Sequence, residues 1–206
     1  MPPSTFSRLA GLAYFGIIVS GLSSELILRA PIAMADDPAR LLFERAMVWR
    51  LSLAADLAMA TLDVALALML FDLFRQFGPA LARASLVLRL VQMAIIMSQL
   101  PLLVSALGAD DPAPLINRHG MGYDIGLWFF GLNSLVMAVL LRRVGARWLS
   151  ALIAVSGLVY LLGTFTRLLL PDLNAVFQPA YGIAVIAETT LAIWLLRAPA
   201  ALVRAA

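Results

Sequence analysis

Six stretches of this chain, near residues 8–29, 50–76, 81–107, 120–142, 147–170 and 176–197, are apolar over the roughly 20 residues needed to cross a bilayer. Inside hydrocarbon no water satisfies backbone N–H and C=O groups, so such stretches must be helices unless they close into a barrel. They lack the period-two alternation of barrel strands, and the expected fold is therefore all-α: an integral membrane bundle of about six transmembrane helices forming one domain over 1–206. The breaks carry turn residues: Gly78-Pro79, Asp110-Asp111-Pro112, Arg142-Arg143 and Pro171-Asp172. Composition agrees, with 63% hydrophobic and only 13% charged residues and a mean hydropathy of +0.95. No internal repeat is evident, which counts against an inverted-repeat transporter.

The first stretch follows Arg8 as a signal peptide would, but it runs on to Glu25 and Arg29 with no small-residue cleavage site, so it is expected to be the first span. All 15 basic residues are arginine, a bias expected of a GC-rich, bacterial genome. Arg8, Arg75, Arg83, Arg142, Arg143, Arg147, Arg197 and Arg204 fall on one side, and Arg29, Arg40, Arg45, Arg50 and Arg118 on the other. Eight against five places both termini in the cytoplasm of an inner membrane by the positive-inside rule. Nucleic acid is not an expected partner, because the arginines are scattered over helix ends; membrane lipid is. Trp49, Trp148 and Trp194 read as interface anchors. Asp37-Pro38 reads as an N-cap and N1 pair that starts an interfacial helix over 38–49, with Arg40 and Glu44 at i,i+4.

Polar residues inside the spans recur at separations of 4, 7 and 11, which share one helix face. Span by span they are Tyr14, Gly21, Glu25; Ser52, Asp56, Met59, Asp63; Ser85, Arg89, Gln92, Gln99; His119, Tyr123, Gly126, Asn133; Ser156, Tyr160, Gly163, Arg167; and Tyr181, Glu188. Each helix thus turns one polar stripe inward. Ionisable groups at bilayer depth are functional-site candidates because each costs several kcal/mol unless paired or facing a polar cavity.

Depth arithmetic divides these groups. Asp63, Arg89 and Glu188 lie near the midplane, where Arg89 can pair with Asp63 or Glu188 as a structural tie. Glu25, Arg50, Asp56, His119, Tyr123, Asp124, Arg167 and Tyr181 gather towards the outer side, with Arg167 expected to pair with Asp56, Asp124 or Glu25. Ligand-binding roles are assigned to Glu25, Arg50, Asp56, Arg167 and Tyr181, and acid–base roles to His119, Tyr123 and Asp124. With no cysteine and one histidine, thiolate chemistry, disulfides and multi-histidine metal sites are excluded, and no cofactor is identifiable. A metal on His119 with Glu25 or Asp56 lacks a supporting spacing.

In order and content the segments RLAGLAYFGIIVSG, WRLSLAADLAMATLDVALALML, RLVQMAII, GYDIGLWFFGLN and LLPDL resemble the bacterial membrane family called domain of unknown function 4386. The resemblance spans nearly the whole chain and implies a multi-helix inner-membrane protein without implying an activity. It implies polar family positions at Glu25, Arg50, Asp56, Asp63, Arg89, Tyr123 and Glu188. The chain departs from the family at Asn133, where many members carry histidine, so no role needing imidazole transfers there.

Three functions fit the sequence. One is binding of, or action on, a small amphipathic or lipid-like molecule in a polar cavity open to the outer side, with Arg50 or Arg167 holding an anionic headgroup. The second is a proton-coupled small-molecule transporter using Asp56, Asp63, Arg89 and Glu188 as a relay, for which a homodimer would offset the small size. The third is a structural or sensory membrane subunit whose charges only hold the bundle together.

Overall fold

The computed structural model describes residues 2–199 and 202; Arg204, used in the arginine count, lies outside them. It is 90% helical and has no strand among the described residues. Six helices are long and apolar enough to cross a membrane: Pro3–Ala33, Ala46–Phe77, Pro79–Ala106, Ala113–Arg143, Arg147–Leu169 and Pro171–Leu196. The expected spans are therefore present; all but Arg147–Leu169 are extended by a few residues at one or both ends.

We label the helices α1 (Pro3–Leu22), α2 (Ala30–Ala33), α3 (Pro38–Glu44), α4 (Ala46–Phe74), α5 (Pro79–Ala106), α6 (Ala113–Arg143), α7 (Arg147–Leu169), α8 (Pro171–Phe177) and α9 (Tyr181–Leu196). The long helices run alternately up and down. Each packs on its chain neighbours, α1 on α4, α4 on α5, α5 on α6, α6 on α7 and α7 on α9, and α9 returns to α1 to close a six-membered ring.

Close packing is set by small residues. A Cβ on Gly131 would sit 2.9 Å from the carbonyl oxygen of Gly157, and one on Gly157 equally close to that of Gly131, so α6 and α7 touch backbone to backbone. Gly11 holds α1 against α9 in the same way, 2.8 Å from the Ala192 oxygen. Gly145 takes φ +91° in the turn from α6 to α7, a conformation that favours glycine.

At the end of the bundle that holds Pro3 and Leu196, a buried cluster of Leu66, Leu70, Leu73, Phe74, Leu140 and Leu141 fills the ring. At the far end Trp49, Leu42, Ile32 and Leu103 form a second cluster. Trp49 is fully buried there and donates its indole N–H to the Leu103 carbonyl at 2.8 Å, so it is a core residue and not the expected interface anchor. Trp148, 62% exposed, remains placed as an anchor would be.

Helix α3 starts as its sequence implies: the Asp37 side chain accepts from the Arg40 N–H at 3.0 Å, Pro38 opens the helix, and Arg40 pairs with Glu44 at 2.8 Å. It breaks at Arg45 before α4 begins, so 38–49 is not one helix. Between α1 and α2, residues Ser23–Arg29 form a wider π-helical turn. Pro31 follows it; a proline has no N–H to give and its ring crowds the carbonyl four residues back, here that of Ile27, and widening the coil relieves that conflict.

Candidate functional site

One residue from each member of the ring meets at its centre. Asp63 on α4 accepts from Arg89 Nε on α5 at 3.0 Å, and both side chains are almost fully buried. The guanidinium lies 5.1 Å from the ring centre of Tyr14 on α1 and 5.1 Å from that of Phe130 on α6. Phe130 meets Tyr160 on α7 edge-on at 5.1 Å. The Tyr160 hydroxyl in turn donates to Glu188 on α9. The chain of contacts is continuous and crosses all six helices. Of the two partners expected for Arg89, Asp63 is the one it takes.

Above this knot, towards the far end, a cavity of about 410 Å³ opens between α1, α6, α7 and α9. Glu188 and Tyr160 border its deep end. Glu25, His119, Asp124, Arg167 and Tyr181 border it nearer the far end, and Tyr123 and Met59 lie on its wall. Apolar residues, among them Ile17, Leu22, Leu127 and Val185, line the side between α1 and α9. The two helices touch at Gly11 and Ala192 and part beyond Ile17, so the cavity lies in the cleft their divergence makes.

The wall is built tightly. Gly163 faces the Tyr181 ring so closely that a Cβ there would lie 2.1 Å from the phenol oxygen. Tyr181 also stacks on Tyr160 at 5.8 Å and on Phe177 at 6.2 Å. Asn174 ties α8 to α7 by donating to the Gly163 carbonyl at 3.2 Å, while Thr164 donates to the Asp124 carbonyl at 2.7 Å and ties α7 to α6. His119 and Tyr123 have ring centres 5.9 Å apart, as one helical turn dictates. The Tyr123 hydroxyl has only the Met59 sulfur, 4.0 Å away, as a hydrogen-bond acceptor among the described residues.

The charged residues sort differently from the expectation in three places. Asp56 does not border the cavity and does not pair with Arg167. It is buried behind the cavity wall, accepts from Ser24 Oγ at 2.6 Å, and is ion-paired with Arg29. Arg29, expected at the outer end of the first span, is 4% exposed and its guanidinium also bonds Glu25 at 2.7 Å. It stands between Glu25 and Asp56 where a metal on those carboxylates would have to sit. Among the described residues no three His, Asp or Glu side chains gather closely enough for a metal site.

Arg167 pairs with Asp124 at 3.6 Å, one of its expected partners, and also donates to Asn117 at 2.8 Å. Arg50, expected as a ligand residue, is exposed and does not border the cavity. Its position explains why: Met59 is the α4 residue on the cavity wall, and Arg50, nine residues and about 900° of helix rotation away, points from the opposite face.

Of the residues expected to bind or act, the fold thus brings Glu25, His119, Tyr123, Asp124, Arg167 and Tyr181 to one cavity, with Glu188 at its deep end. Arg29 and Ser24 were not singled out by sequence as parts of this machinery, and Tyr14 was read only as a member of the inward stripe. The i,i+4 spacing of Glu25 and Arg29 was a usable signal for Arg29. Asn133 is buried and accepts from Ser85 at 2.6 Å, an α5–α6 tie in the place where relatives are expected to carry histidine.

A bundle of six apolar helices with ionisable groups gathered inside defines a multi-pass membrane protein class. The sequence profile of the family described as domain of unknown function 4386 matches residues 9–198, and the chain belongs to that family. No curated protein and no solved structure matches the chain.

Proposed function

We propose that this protein binds a small amphipathic or lipid-like molecule in the cavity between α1, α6, α7 and α9. The observation that carries the reading is the composition of one wall system: an apolar side along Ile17, Leu22 and Val185 faces a side bearing Asp124, Arg167 and Tyr123 within about 410 Å³. Pockets of this size that join apolar walls to a few convergent polar groups are the usual form of a small-molecule site.

Orientation is part of the proposal. With Arg29 buried inside a span, the arginines on its side fall from five to four, Arg40, Arg45, Arg50 and Arg118, against eight on the other. That favours termini in the cytoplasm of a bacterial inner membrane and a cavity facing the outer side. The transporter reading is less favoured, because the Leu66, Leu70, Phe74 and Leu140 cluster fills the ring below the knot.

Native mass spectrometry on protein released from its own membrane tests the binding reading. A bound adduct of small-molecule mass is expected on the wild type and is expected to be lost in Gly21→Trp, which fills the cavity from α1. A wild type without adduct, or an adduct retained equally by the variant, refutes it.

A further inference from the structure

Three carboxyl side chains border the cavity, Glu25, Asp124 and Glu188, against one arginine, Arg167. The cations nearby are already committed. Arg167 is held by Asp124 and Asn117. Arg29, outside the lining, bridges Glu25 and Asp56. Arg89, below it, belongs to Asp63.

Glu188 is the exception. It is 9% exposed and makes no ion pair among the described residues. Its Oε1 takes the Tyr160 hydroxyl, and Oε2 has no hydrogen-bond donor among them. A buried carboxyl bordering an open space, with one oxygen unmet, leaves a position that a cationic group of a ligand can fill.

The surroundings suit an ammonium in particular. Tyr160, Tyr123 and Tyr181 all border the same space, and aromatic faces attract alkylammonium groups as well as apolar chains. From Glu188 the apolar side of the cavity runs past Val185 and Leu22 to Leu26, which is 61% exposed on the surface of α1's extension. An alkyl chain can therefore leave along the α1–α9 cleft while its head stays at the deep end.

We propose that the ligand of this cavity is a lipophilic amine: a single cationic nitrogen held against Glu188 and the tyrosines, on an apolar body lying between α1 and α9. The proposal rests on the cavity being a ligand site and reverses the expectation that arginines here hold an anionic headgroup.

The test uses the full chain in phosphatidylcholine nanodiscs, with empty nanodiscs subtracted, and titrates decylamine, decanol and decanoate calorimetrically. Decylamine is expected to bind at least tenfold more tightly than decanol, with decanoate weakest. Glu188→Gln is expected to bring decylamine down to the level of decanol, whereas Asp72→Asn, an exposed carboxylate away from the cavity, leaves the preference unchanged. Equal binding of amine and alcohol by the wild type, or a preference for decanoate, overturns the amine assignment and leaves the cavity reading standing. No saturable binding of any of the three overturns both. The wild-type series decides the matter even if Glu188→Gln does not fold.

Discussion

Asp63 and Arg89 illustrate how a charge can reside at bilayer depth. The guanidinium is held by a carboxylate on one side and lies against two aromatic rings, Tyr14 and Phe130, so little of it is left without a partner. Removing one charge should be far worse than removing both. Asp63→Asn is expected to destabilise the protein by about 3–5 kcal/mol, because it strands Arg89, while the double variant Asp63→Leu/Arg89→Leu recovers much of that loss. Unfolding in mixed detergent micelles measures both, and a double variant no better than Asp63→Asn would show that the pair is not the issue. The same rule made these two residues readable in the sequence: charge in an apolar run, on the inward stripe. Arg50 lay off the stripe and faces outward. Glu188 could be placed on the stripe, but its bond to Tyr160 and its position bordering the cavity needed the relative heights of α7 and α9, which no single-helix pattern contains.

At the scale of elements, the π-helical turn Ser23–Arg29 decides which residues α1 presents. A regular α-helix would carry Glu25 and Arg29 forward on the stripe begun by Tyr14. The wider coil changes the rotation and brings Arg29 onto Asp56 of α4 beside the Ser24 hydroxyl. Such a turn has no hydrophobic period of its own, and so Arg29 read only as the outer end of the first span. A double-mutant cycle of Arg29→Gln and Asp56→Asn is expected to show a coupling of about 1–3 kcal/mol in unfolding free energy; additivity would mean that the contact carries nothing. Packing between α7 and α9 is equally local in origin. Gly163→Ala must displace the Tyr181 ring from its place beside the cavity, since the new carbon would overlap the phenol. The expected result is at least tenfold weaker ligand binding with a thermal midpoint lowered by only a few degrees; unchanged binding would show that the Tyr181 ring does not shape the site.

For the whole molecule, the number of helices and their inward faces follow from lipid chemistry and helix period, and both were legible before any coordinates. The closing of the ring by α9 on α1 was not, because it depends on Gly11 meeting Ala192 across nearly the full length of the chain. That closure is tight at the terminal end and parts at the far end, and the cleft it leaves is the proposed site. On the proposed reading this cleft is an accessible cavity and not a seam filled by the bundle's own side chains or by bulk lipid. The sequence has no cysteine, so single cysteines report cleanly. Val185 borders the cavity, while its neighbour Ile186 is 62% exposed on the outside of α9. In membranes, Val185→Cys is predicted to react with a small water-soluble maleimide at least tenfold faster than Ile186→Cys, and to be protected by added decylamine. Equal rates at the two positions, or no protection at Val185→Cys by any amphiphile, would contradict the account.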